Sequence, residues 1–83
     1  QGDNTIGRGN GSTISLSDES VSRQHAVIRC QNGKLVLFDV GSRGGTVLNG
    51  QAIGGHNISN GEVISLGRFE FTMMAAKVQP VRV

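Results

Sequence analysis

At 83 residues the chain holds one domain with a modest core, and a second active module does not fit. A net charge of +2 is too weak a field to argue for nucleic acid, and no apolar run approaches the roughly 20 residues of a membrane span. The lone Cys30 excludes an internal disulfide, and no signal-peptide pattern opens the chain, which makes a reducing, cytoplasmic setting the expectation.

In chain order, short apolar runs alternate with Gly, Asn and Ser, as in an all-β protein. Thr13–Leu16 and His25–Cys30 alternate polar and apolar residues and predict strands. Lys34–Val40 is a third, joined to the second by the turn signal Gln31-Asn32-Gly33. Glu62–Leu66 and Phe69–Met73 flank Gly67-Arg68 and predict a C-terminal hairpin. No segment keeps a helical period for three turns. The spacing predicts a sandwich or barrel with three long loops, Gly7–Ser12, Ser17–Gln24 and Gly41–Gly50. Asn49-Gly50 is in itself a strong turn signal, since both residues tolerate positive φ. Six of the eight basic residues are Arg, whose planar fork suits phosphate oxygens better than the point charge of Lys.

Three groups of residues, Thr5-Ile6-Gly7-Arg8, then Ile14–Asp18 running to Val21-Ser22-Arg23-Gln24-His25-Ala26, then Asp39–Thr46 with Asn49-Gly50, resemble in order and spacing the motifs of the forkhead-associated (FHA) domain family. The resemblance spans Thr5 to about Phe71 and implies a β-sandwich of two antiparallel sheets that binds phosphothreonine in partner proteins and is not an enzyme. It assigns phosphate contacts to Arg8 and Ser22, with Arg23 beside them, and peptide contacts to the Arg43-Gly44 position. It also makes Gly7, His25, Thr46, Asn49 and Gly50 structural supports of the site. One departure stands out: many members carry Asn where this chain has Gly44, so either Arg43 reaches across the groove in its place or binding is weakened. A domain that serves assembly without binding phosphopeptide is the alternative.

Other classes fit the residues less well. A phosphate-cradling P-loop needs a Lys after its glycines, and none occurs before Lys34. His25, Cys30 and His56 match no zinc spacing, so neither a metal nor a cofactor is expected. Only four residues precede Thr5, fewer than the strands such domains place there, so the N-terminal strands read as shortened or missing. The domain is accordingly set at residues 1–74. In the tail, 75–83, Val78, Val81 and Val83 suggest a replacement edge strand or, alternatively, a linker.

Overall fold

The computed structural model describes residues 2–74. Nine strands form two facing sheets: β1 (Gly2–Gly7), β2 (Ile14–Ser15), β3 (Ala26–Gln31), β4 (Lys34–Asp39), β5 (Thr46–Leu48), β6 (Gln51–Ile53), β7 (Gly55–Ile58), β8 (Val63–Leu66) and β9 (Phe69–Thr72). One sheet runs β2-β1-β3-β4-β7 and the other β6-β5-β8-β9. The predicted hairpins form where their turn residues stand. Asn32-Gly33 and Asn49-Gly50 both place two successive residues at positive φ, the twist that matches flanking strands, and Gly67 opens the β8–β9 turn at φ 57°.

Alternation sets the core. Ile28 and Leu37 are cross-strand neighbours on β3 and β4, as are Leu48 and Ile64 on β5 and β8, and all four are buried. Ile6, Val21, Ile58 and Leu66 complete the interior, with no aromatic residue among the buried set. Leu37 is fully buried in the central region of its sheet.

Several sequence expectations need correction. The sheets are not wholly antiparallel, because β2 pairs with β1 in parallel through Ile6 and Gly7. That strand is two residues long, against the four expected, since the chain only brushes the rim before turning away. Leu16 N–H donates to Gly7 C=O there, and Thr5 and Thr13 bond each other reciprocally. The expected loop Gly41–Gly50 contains β5, which leaves residues 41–45 as the turn proper. Strands β6 and β7 went unread because Gln51–Ile58 carries few apolar residues; both are edge strands whose partners impose the extended form. Gly55 sits opposite Phe38, and a Cβ there would come within 2.9 Å of the Phe38 ring, so glycine lets β7 approach.

The four-stranded sheet ends at β9, beside an apolar cleft of about 290 Å³ lined by Ile6, Ile14, Ile28, Ile64, Phe71 and Met73. The expected edge strand at 75–83 lies outside the described residues.

Because Leu37 has no exposed surface, Leu37→Ala leaves a cavity that a thin core fills poorly. Its expected cost is about 2–5 kcal/mol in urea or guanidinium unfolding, with the strand signature of the circular dichroism spectrum retained in whatever fraction folds.

Candidate functional site

The loops at one end of the sandwich converge on His25. Its ring is fully buried, and it sits just before β3 where the sheets meet the loops. Four hydrogen bonds radiate from this one residue. Its backbone N–H donates to Ile6 C=O at 3.0 Å, and its C=O accepts from Val40 N–H at 3.1 Å. Its Nδ1 accepts from Ser22 N–H at 3.1 Å, which leaves Nε2 as the protonated nitrogen, donating to Gly45 C=O at 2.8 Å. The end of β1, the loop 16–25, the end of β4 and the turn 41–45 are thereby fixed to one another.

Asp39 organises the turn 41–45. Its Oδ1 accepts from the N–H groups of Gly41 and Ser42, both at 2.9 Å, and its Oδ2 from the hydroxyls of Ser42 and Thr46, the latter at 2.7 Å. Asp39 ends a strand of one sheet and the buried Thr46 begins a strand of the other, so this bond also ties the sheets together at the rim. Burial alone would raise the Asp39 carboxyl, but the donors from Ser42, Thr46 and Gly41 outweigh it and hold the group below the ordinary carboxylate range. Ser42 Oγ in turn accepts from Gly45 N–H at 2.8 Å.

On this frame sit the predicted contact residues. Arg8 N–H donates to Ser22 C=O at 3.0 Å and Gly9 N–H to Arg23 C=O at 3.2 Å, which brings the segments bearing Arg8 and Arg23 side by side. Gly7 makes that approach possible, since a Cβ on it would stand 2.2 Å from Arg23 O. Ser22 Oγ accepts from Arg43 N–H at 3.0 Å, so its own hydroxyl proton is left to donate outward. Arg8, Arg23 and Arg43 have no carboxylate within ion-pair distance among the described residues, in contrast to Arg29 with Asp3 and Arg68 with Asp18. Arg23 and Arg43 are exposed and Arg8 is half-buried. The loop 16–25 is also braced within itself by Ser20 N–H on Asp18, and from outside by Arg68 N–H on Ser20 Oγ.

Not every predicted residue is gathered here. Asn49 and Gly50 turn the chain at the far end of β5, where Asn49 Oδ1 accepts from Val63 N–H at 2.8 Å and Nδ2 donates to Glu62 at 3.0 Å. They brace β5 on β8 instead of touching the loops. Gly44 is exposed, its φ is not left-handed, and nothing lies within 4 Å of where its Cβ would be. Asp39 and Ser42 were the residues missed. The signal was an Asp two and three residues before Gly41 and Ser42, the pattern of a side chain capping its own turn.

The loops of this β-sandwich, locked from beneath, thus bring the segments bearing Arg8, Ser22, Arg23 and Arg43 together at one end, the arrangement of a loop-based binding domain. The chain belongs to the FHA domain family, whose model matches residues 4–67. It is similar to the glycogen accumulation regulator GarA of Mycobacterium tuberculosis, at 33% identity over 75 residues, 90% of this chain and 46% of that one. Among solved structures, an FHA domain described in work on phosphothreonine-dependent FHA domain interactions matches with a TM-score of 0.85 at 35% identity, over 92% of this chain and 81% of that one. Mycobacterium tuberculosis EmbR in complex with a low-affinity phosphopeptide matches with a TM-score of 0.82 at 31% identity, over 84% of this chain and 19% of that one. The chain spans about half the length of relatives such as GarA.

Asp39 gives a pH signature whose sign follows from its lowered folded value. Its contribution to stability is complete above its unfolded value of about 3.9 and is lost as pH falls through the folded value. Asp39→Asn is expected to cost roughly 1.5–3 kcal/mol at neutral pH. The gap between variant and parent should close on acidification below about pH 4, as read by denaturant melts across pH.

Proposed function

We propose that this domain binds threonine-phosphorylated segments of partner proteins and acts as a reversible adaptor in kinase signalling, with no catalysis of its own. The observation that carries this reading is the set Arg8, Ser22, Arg23 and Arg43. Backbone bonds join their segments, Ser22 keeps a hydroxyl proton to give, and no carboxylate competes for the guanidiniums among the described residues. A phosphothreonine near neutral pH carries close to two negative charges and three strong acceptors on a short stem, which suits donors of this kind. The solved relatives studied with phosphothreonine or phosphopeptide support the same reading.

Roles follow from position. Arg8, held at its backbone by Ser22, supplies the charge-assisted contact closest to the frame, and Ser22 adds a hydroxyl donor. Arg23 and Arg43, on the exposed rim, supply further charge and reach the peptide backbone. Gly7, His25, Asp39 and Thr46 hold these groups in place without touching the ligand. A cytoplasmic setting belongs to this reading, because the kinases that write such marks draw on intracellular ATP.

Calorimetric titration with a phosphothreonine peptide and its unphosphorylated twin tests the reading, and equal affinities would mean a domain used for assembly alone. Arg8→Ala is expected to cost about 1.5–3 kcal/mol, more than tenfold in Kd, without lowering the melting temperature by more than a few degrees. Gly44→Asn, for which the structure has open space and an ordinary φ, should fold normally. By adding a side-chain amide over the groove it should tighten phosphopeptide binding by roughly 0.5–1.5 kcal/mol in the same titration.

A further inference from the structure

Beside the arginine cluster lies a cleft of about 490 Å³ whose role the phosphate contacts leave unused. Gly9 and Arg23 both line it, and the Arg23 side chain packs within 3.4 Å of where a Cβ on Gly9 would stand, so the cleft shares Arg23 with the proposed phosphate site. No residue of the turn 41–45 lines it. Its aliphatic lining residues are Val27 and Val40, with the buried Ile6 and Ala26. Val40 is 45% exposed, one of three large hydrophobic residues left open among the described residues. Its neighbours explain the position: Val40 N–H is held by His25 C=O, so the side chain is fixed facing solvent beside the site by the same residue that fixes the loops. No lining residue is acidic or Lys, and the single charge, Arg23, stands where the cleft meets the phosphate site.

We propose that this cleft is a second recognition subsite, which seats an aliphatic side chain close in sequence to the phosphothreonine, on the flank of the partner segment that leaves the phosphate over the loop 8–13. The inference rests on the phosphothreonine reading and adds sequence selectivity to it. An aliphatic chain is the fitting occupant because the floor offers Val27 and Val40 and no carboxylate, while a Lys or Arg there would face Arg23. With Gly44 supplying no side chain over the turn 41–45, selectivity moves to this other wall of the site.

The test is a positional scan. A phosphothreonine peptide flanked only by alanines gives the base affinity, and Leu, Ile or Val is then placed singly at each of the three positions on either side. One position on one flank should tighten binding roughly five- to tenfold, the worth of burying an aliphatic side chain in part. Two variants tie that gain to the cleft. Val40→Ser removes the apolar wall at an exposed position, and Gly11→Phe fills the space from a loop residue with nothing within 4 Å of its Cβ and no left-handed φ. Each should reduce the gain to under twofold while the all-alanine phosphopeptide binds within twofold of its parent value. A scan with no gain above twofold, or a gain that survives in both variants, overturns the subsite. In either case phosphate-dependent binding of the all-alanine peptide leaves the phosphothreonine reading standing, whereas loss of phosphate dependence in that peptide overturns both.

Discussion

The imidazole of His25 is the constraint that orders the loop end of this domain. A buried ring with two polar atoms must satisfy both, and here each finds its partner on a different loop: Ser22 N–H on one and Gly45 C=O on the other. Because its own backbone is also paired, to Ile6 and Val40, four chain segments are set relative to one side chain. The arginines can then sit on loops and still be placed with the precision of a sheet. Backbone hydrogen bonds hold the segments that bear Arg8, Arg23 and Arg43 side by side, whatever the mutual repulsion of their charges.

Asp39 performs the companion task at the seam. It accepts four hydrogen bonds, two from backbone and two from hydroxyls, and one of those hydroxyls belongs to the opposite sheet. In a chain whose buried core contains no aromatic residue, such polar ties at the rim contribute where apolar burial is thin. The result is a division of labour along the sandwich. Ile28, Leu37, Leu48 and Ile64 hold its middle, and His25, Asp39 and Thr46 hold the end where the loops gather.

Much of this was legible in the sequence where the physics is local. Asn32-Gly33 and Asn49-Gly50 announce hairpins because only residues tolerant of positive φ make those turns, and both do. The Arg8, Ser22 and His25 positions were legible as spaced motifs. What escaped was set by partners distant in the chain. Strands β6 and β7 are extended because neighbours pair with them, and the role of Gly55 depends on the Phe38 ring across the sheet. The tie from Asp39 to Thr46, unlike the capping of its own turn, depends on Thr46 standing at the start of the facing sheet, which no local pattern reveals. The cleft at Val40 was likewise invisible, because it exists only when the loop 8–13 folds back beside β3.

The turn 41–45 is also the place where the chain passes from one sheet to the other, from β4 to β5. Its two ends are clasped by a single carboxylate, and its last glycine is pinned to the buried imidazole. An added or lost residue would therefore shift the facing sheets against each other as well as altering the groove. A change of side chain at fixed length therefore disturbs this frame less than a change of loop length. Positions 43 and 44, exposed and free of the clasp's hydrogen-bonding side chains, are where such change costs the frame least.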